Sequence, residues 1–346
     1  MRRAWPWLKY IVGLALAGLA LWALAGRRDE LSGASSYLDH MRWWWVVLAA
    51  TAEAGSLVAF ALVQKRLLEA GGVVMSTGRL TGVTVASTAI ANSMPAGPLV
   101  SSVFAFRQYR LKGADEALSA WTLAAVFVVA SVSLALVAAV GLAVAGAEGA
   151  GLDLVGVTVA VLLGAIAMGA VFLQRRALVW LVSRAVQASS RYLRWPRGDA
   201  ADHARWIVDR LTVVKLSVHQ VVSTIGWGLA NWILDCGCLA LSFLAVGAGI
   251  PWRGLLLAYG AGQLAANLPI TPGGLGVVEG SLTIALTQFG GASTSTVVVV
   301  LLYRLLSFWI GLPIGWATWG VYAWERRRPA GTSSGAPEPL AEEVAS

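Results

Sequence analysis

Four ionisable side chains lie inside stretches that are otherwise apolar: Glu53, Asp235, Glu279 and Arg304. A charged side chain near the centre of a bilayer costs about 2.5–3.5 kcal/mol, so each of these residues needs a partner or water. Glu53 and Asp235 are predicted to be partners for buried charge. Two interpretations stay open: Arg304 forms a structural ion pair with Glu279 or Asp235, or the charges are functional, in that Arg304 binds a phosphate or one of the acids carries protons.

A second chemical feature is the stretch NLPITPGGLGVVEG, Asn267–Gly280, which contains two prolines and four glycines within an apolar region. Thr271 followed by Pro272 is typical of a helix start, with Thr as the N-cap. A helix that began there would direct free N–H groups and its positive dipole end into the membrane interior. The pattern predicts a seat for an anionic headgroup; the alternative is a packed kink.

A related stretch, ANSMPAGPLV, occurs at 91–100 and also places Asn shortly before Pro and Gly. Non-helical backbone inside a membrane survives only where it packs in protein or lines a wet cavity. We therefore predict a broken or re-entrant hairpin over 79–106 and another over 254–282. Asn92 and Asn267 are predicted to cap the broken helices, with a direct ligand role as the alternative. The predicted lipid- or anion-binding residues are Asn92, Pro95, Gly97, Asn267, Pro269, Thr271, Pro272, Gly273, Gly274, Gly276, Glu279 and Arg304.

Other chemistry has no support in the sequence. The histidines His40, His203 and His219 are scattered, and there is no phosphate-binding P-loop, nucleophile elbow or zinc-ligand spacing. We expect no catalytic residues, no metal and no cofactor, and hence a protein that is not an enzyme. The lack of a nucleotide motif also excludes a self-contained ATPase.

The elements that must position these residues are membrane helices. The 346-residue chain is 58% hydrophobic and 13% charged, which is not the composition of a soluble domain. Apolar runs of about 20 residues are long enough to cross a bilayer. The sequence predicts an all-α polytopic membrane protein with about six full spans and two shorter dips, Val74–Phe106 and Gly254–Val278. The predicted spans are Trp7–Ala25, Trp43–Val63, Ala117–Ala147, Leu154–Gln174, Leu216–Trp252 and Gly280–Trp324.

The placement of basic residues predicts the orientation. The net charge is +8, and cytoplasmic loops carry an excess of Lys and Arg. With both termini in the cytoplasm, the basic loop 175–215 is cytoplasmic, and only Arg27, Arg28, Arg42 and Arg253 face outside. We predict a plasma-membrane protein whose basic loop contacts anionic inner-leaflet lipids.

The two dips divide the chain into similar halves, at about 43–147 and 216–324, that enter the membrane from opposite sides. Inverted repeats with broken helices are typical of secondary transporters. We predict a single integral membrane domain over 1–328, followed by a disordered tail over 329–346 that is rich in Pro, Ser, Gly and Glu.

The motifs NLPITPGGLGVVEGSL, LLYRLLSFWIG and NSMPAGPLVSSVFAFRQYRLKG together resemble the flippase-like transmembrane region of lysylphosphatidylglycerol synthases and its stand-alone relatives. The resemblance extends to about Arg328 and implies movement of a lipid between leaflets. Full-length synthases add a soluble domain for which this chain has no room, so we do not expect synthase activity.

We therefore predict a lipid translocase for an anionic or lipid-linked headgroup, with a phospholipid or lipid-linked substrate and no nucleic acid as partner. Two alternatives remain. The protein is a non-catalytic membrane partner of a lipid-modifying enzyme or glycosyltransferase, or it is an ion-coupled solute transporter.

Overall fold

The computed structural model describes residues 40–94, 97–146, 163–164, 216–266 and 272–325, and these ranges contain helices and no strands. A 3₁₀ turn spans Pro272–Gly274, and a π-helical segment spans Leu305–Trp309. The α-helices are α1 Trp43–Ala70, α2 Thr77–Ser93, α3 Gly97–Arg110, α4 Glu116–Gly146, α5 Val218–Val246, α6 Trp252–Ala266, α7 Val277–Gln288, α8 Ser293–Arg304 and α9 Gly311–Glu325.

Among the described residues, four helical stretches are long and apolar enough to cross a membrane: α1, α4, α5 and the continuous stretch Thr294–Glu325. Their lengths of 28 to 32 residues exceed the roughly 20 that a helix needs to span the hydrocarbon core. Large apolar side chains such as Phe127 and Ile233 are more than half exposed, as lipid-facing residues are. The chain is a helical membrane protein, as predicted. The predicted spans Trp7–Ala25 and Leu154–Gln174 lie outside the described residues, apart from 163–164.

Helix ends follow local sequence signals. Ser217 caps α5, because its hydroxyl accepts from the Gln220 N–H while the Gln220 side chain accepts from the Ser217 N–H. At the other end of α5, Gly247 adopts a left-handed φ of 77°, a conformation that glycine reaches without steric cost. The long apolar run that predicted a span from Leu216 to Trp252 therefore forms a helix bounded by two recognisable caps.

Helices α1 and α5 form the central pair and run antiparallel. The Arg42 N–H at the start of α1 donates to the Ala245 carbonyl near the end of α5, at 3.0 Å. Further along, the Ser56 hydroxyl and the Asn231 amide hydrogen-bond at 3.1 Å. Residue numbers rise along one helix as they fall along the other, so α1 and α5 cross in opposite directions.

Helix α2 packs against α9, and helix α6 packs against α4. Helix α2 lies antiparallel to α9: the Trp316 indole donates to the Ser93 hydroxyl at 2.9 Å, and the Tyr322 hydroxyl donates to the Arg79 carbonyl at 3.0 Å. Helix α6 packs in the same way against α4, where Gly141 lies so close that a Cβ would stand 2.7 Å from the Leu257 nitrogen.

The predicted last span, Gly280–Trp324, begins too early in the chain. Helix α7 ends at Gln288 and α8 begins at Ser293. Gly290 has a φ of 93°, and the Gly291 N–H turns back to the Leu286 carbonyl at 3.1 Å. These glycines end the helix despite the apolar composition around them. Residues 277–288 are therefore the second arm of the broken segment, and the span begins after Ala292.

Candidate functional site

The first helix break separates α2 from α3 and lies after Ser93. The Gly97 N–H at the start of α3 donates to the Met94 carbonyl at 2.9 Å. A Cβ on Gly97 would collide with the Ala91 carbonyl, so this position accepts only glycine. The predicted break in this region is therefore present, while Pro95 lies outside the described residues.

The second break separates α6 from α7 and depends on glycines in left-handed conformations. Gly273, Gly274 and Gly276 have φ values of 62°, 68° and 81°. A right-handed helix cannot continue through such residues, so α7 begins at Val277. The predicted helix start at Thr271–Pro272 is therefore wrong by several residues. Thr271, Asn267 and Pro269 lie outside the described residues, and Pro272 opens the 3₁₀ turn.

The two breaks meet. A Cβ built on Gly273 would stand 3.2 Å from the Asn92 carbonyl oxygen of the first break and 2.2 Å from the Phe308 ring. Asn92 thus contributes its backbone to the junction, as one of the last residues of α2. The two motifs are therefore in contact at the residues that the structure describes.

Arg304 contacts this junction through two hydrogen bonds. Its Nε donates to Oε1 of Glu279 at 2.7 Å, and its Nη2 donates to the Gly273 carbonyl at 3.0 Å. The guanidinium lies over the Phe308 ring, 4.4 Å from the ring centroid. Arg304 is only 7% exposed, and Glu279 supplies the opposite charge that such burial requires.

Glu279 has a second role in the same contact. Its other oxygen, Oε2, accepts from the Gly276 N–H at 2.7 Å. A carboxylate in the first turn of α7 accepts from a free backbone N–H, and the positive end of the helix dipole stabilises its negative charge. One carboxyl group therefore joins the glycine break to Arg304. The predicted Arg304–Glu279 pair is present.

Asp235 belongs to a separate polar cluster, which sequence reasoning did not resolve. Its Oδ2 accepts from the Tyr259 hydroxyl at 2.7 Å and from the Gln263 amide at 3.1 Å. Its Oδ1 accepts from the Tyr303 hydroxyl at 2.8 Å. Glu53 lies within hydrogen-bonding reach of Asp235 across the α1–α5 crossing. The two acids predicted as charge partners are therefore brought together with each other.

Tyr259, Gln263 and Tyr303 were not among the predicted residues, although the sequence holds a signal for them. Tyr259 and Gln263 are four residues apart and share a helix face. Tyr303 immediately precedes Arg304, so the residue that contacts Asp235 and the residue that contacts Glu279 are neighbours on α8. The Asp235 cluster and the Arg304–Glu279 pair are thus held by two adjacent residues of α8.

The comparison with known proteins agrees with the motifs. The family profile of the lysylphosphatidylglycerol synthase TM region matches residues 10–315, which include both breaks, the Arg304–Glu279 pair and the Glu53–Asp235 pair. No curated protein matches the chain at a significant level. The resemblance seen in the motifs is confirmed at the level of the family.

Proposed function

The chain belongs to the lysylphosphatidylglycerol synthase TM region family, and from this we propose that it is a lipid translocase. It moves an anionic or lipid-linked headgroup between the two leaflets and is not itself an enzyme. The observation that carries the proposal is the junction of the two helix breaks. There a buried arginine and a glycine-rich turn stand together among helices long enough to cross a membrane.

The transport architecture that we propose is a pair of inverted repeats, with α1–α4 in one half and α5–α9 in the other. The antiparallel crossing of α1 and α5 supports it, because two equivalent spans that run in opposite directions belong to halves of opposite orientation. The exchanged contacts of α2 with α9 and of α6 with α4 support it as well. In this arrangement each broken segment is re-entrant and reaches the junction from its own side.

The headgroup site that we propose is formed by Arg304 and the turn at Gly273–Gly276. In this structure two N–H groups of the Arg304 guanidinium already donate to protein acceptors, one to Glu279 and one to the Gly273 carbonyl. A lipid phosphate takes the place of the Gly273 carbonyl at Nη2, while Glu279 keeps its contact with Nε. Arginine suits this exchange because its planar fork serves two acceptors at once. Asn92 and Gly97 shape the opposite wall of the site.

The cellular setting that we propose is the plasma membrane, with both termini in the cytoplasm. The basic loop 175–215 then faces the anionic inner leaflet, where each Lys or Arg near the surface contributes about 1 kcal/mol of attraction. A lipid-modifying enzyme in the same membrane is a fitting partner, because it would supply or consume the lipid that is moved.

The test is the movement of labelled lipid by purified protein in liposomes, compared between the parent and two variants. Arg304→Lys keeps the charge but cannot hold Glu279 and Gly273 in the same geometry, so we expect at least a tenfold slower rate with the fold retained. Glu279→Gln releases Arg304 and should slow movement as well. If both variants move lipid at the parental rate, the pair is structural and the site is wrong. If the parent moves no lipid, the translocase proposal fails.

A further inference from the structure

The Glu53–Asp235 contact requires a proton. Glu53 on α1 and Asp235 on α5 approach each other closely enough to hydrogen-bond, at the crossing between the two halves. Two ionised carboxylates repel each other, and neither has a hydrogen to donate. Their contact therefore needs one proton, shared by or placed on one of the two groups.

The surrounding hydrogen bonds place that proton on Glu53. Both oxygens of Asp235 already accept from donors: Oδ2 from Tyr259 and Gln263, and Oδ1 from Tyr303. A carboxyl group so supplied with donors is an acceptor. Oε2 of Glu53, in contrast, is buried and receives no hydrogen bond from the described residues. A protonated Glu53 can donate to Asp235, whereas an ionised Glu53 would leave a buried charge without a partner.

The cluster suits a proton better than a metal ion. A hard cation takes about six to eight oxygen ligands with free lone pairs, but Asp235 already accepts three hydrogen bonds from N–H and O–H donors, which leaves about one lone pair, for Glu53. Arg304 also lies close enough to act electrostatically on Asp235 and to repel a cation. The titratable or charged groups that face the carboxyl pair are Cys236 and Cys238 from α5, Tyr259 from α6, and Tyr303 and Arg304 from α8.

The pair is connected to the headgroup site through two consecutive residues. Tyr303 donates to Asp235, and the next residue, Arg304, holds Glu279 and Gly273. A π-helical segment begins directly afterwards, at Leu305, and such segments are frequent at functional sites. Removing the proton from Glu53 changes the charge beside Asp235, the carboxylate to which Tyr303 donates.

We propose that the Glu53–Asp235 pair is a proton-coupling site for lipid movement. Glu53 takes up one proton from the water on one side of the membrane and releases it on the other, and only its O–H bond forms and breaks. The idea rests on the proposed translocase function, because coupling has meaning only if lipid moves. One proton per lipid supports at most about a tenfold lipid ratio between leaflets for each pH unit across the membrane, since both correspond to the same free energy.

The experiment compares the parent with Glu53→Gln and Glu69→Gln in liposomes of phosphatidylcholine and phosphatidylglycerol. A pH gradient is imposed, the membrane potential is clamped, and the leaflet distribution of labelled phosphatidylglycerol is measured. Glutamine at position 53 is neutral and can donate its amide to Asp235, so the fold is retained. Glu69 lies on the same helix but pairs at the surface with Lys65 and Arg66, which makes its variant a matched control.

We expect the parent and Glu69→Gln to accumulate lipid in one leaflet under the pH gradient, and a protonophore to abolish the accumulation. Glu53→Gln should move lipid only to equal distribution. In infrared spectra the parent should also show a protonated-carboxyl band that Glu53→Gln lacks. If lipid movement does not depend on the pH gradient, or follows a Na⁺ gradient instead, the coupling proposal is wrong and the translocase proposal stands. A parent that moves no lipid overturns the translocase function and the coupling with it.

Discussion

Replacing Gly273 by alanine tests whether the two helix breaks touch. The φ of Gly273 is 62°, a region that costs other L-residues roughly 1–2 kcal/mol. The added methyl group would stand 2.2 Å from the Phe308 ring and 3.2 Å from the Asn92 carbonyl oxygen. Overpacking of this kind typically costs a further 1–3 kcal/mol. We therefore expect Gly273→Ala to lower the free energy of unfolding by about 2–5 kcal/mol.

Two other glycines of the same segment provide matched controls. Gly276 has a φ of 81°, but no heavy atom lies within 4 Å of its Cβ position. Its ψ of −38° lies outside the left-handed helical region, so Gly276→Ala should incur the backbone cost alone, roughly 1–3 kcal/mol. Gly280 lies inside α7 with open space at its Cβ position. Gly280→Ala should be neutral or stabilising by up to about 1 kcal/mol, because alanine favours the helix.

The assay is unfolding of the purified protein by SDS in detergent micelles, followed by the fluorescence of its 17 tryptophans. The expected order of stability is Gly280→Ala at or above the parent, then Gly276→Ala, then Gly273→Ala. If Gly273→Ala is as stable as Gly276→Ala, the close approach of the breaks is absent. The junction on which the headgroup site depends would then be refuted.

Three further predictions concern stability and orientation. Arg304→Ala should lower the free energy of unfolding by about 3–5 kcal/mol, since it leaves the half-buried Glu279 carboxylate without its cation; an unchanged SDS midpoint would contradict the ion pair. Tyr303→Phe removes one donor from Asp235 and should cost about 1–3 kcal/mol in the same assay, so parental stability would contradict this hydrogen bond. Single cysteines at Ser190 and Ser334 should resist impermeant thiol reagents in intact cells. Labelling from outside would overturn the cytoplasmic placement of the basic loop and the C-terminus.

Sequence reasoning located the helix breaks because their signals are local. Glycine and proline within an apolar run interrupt a helix wherever they occur, and a charge within the same run requires a partner. Glu279 and Arg304 are opposite charges within the apolar sequence of the second half, and they do pair. These features depend on residue type and depth, which can be estimated from the sequence alone.

The exact helix start could not be predicted in the same way. Thr271–Pro272 carries the usual sequence of an N-cap, but the left-handed φ values of Gly273 and Gly274 postpone α7 to Val277. At both positions a Cβ would meet residues of other elements, Phe308 at Gly273 and Ala266 at Gly274, so the packing there requires glycine. Tertiary packing therefore decided between two starts that were locally acceptable.

The Asp235 cluster was missed for a related reason. Its members come from α5, α6 and α8 and meet only when the helices are packed. Tyrosine and glutamine are also ordinary residues in membrane helices, so neither Tyr259 nor Gln263 stands out in the sequence. The Glu53–Asp235 contact needs the antiparallel crossing of α1 and α5, which no local pattern encodes.

The central claim, that this protein moves lipid between leaflets, is tested most directly in liposomes that contain only the purified protein. Labelled phosphatidylglycerol and phosphatidylcholine are placed in both leaflets, and an impermeant reductant reports the fraction that reaches the outer surface over time. We predict that the protein accelerates the exchange of phosphatidylglycerol at least tenfold over protein-free liposomes, that it favours this lipid over phosphatidylcholine, and that Arg304→Lys removes most of the acceleration. Equal rates with and without protein, for every headgroup tried, would contradict the account.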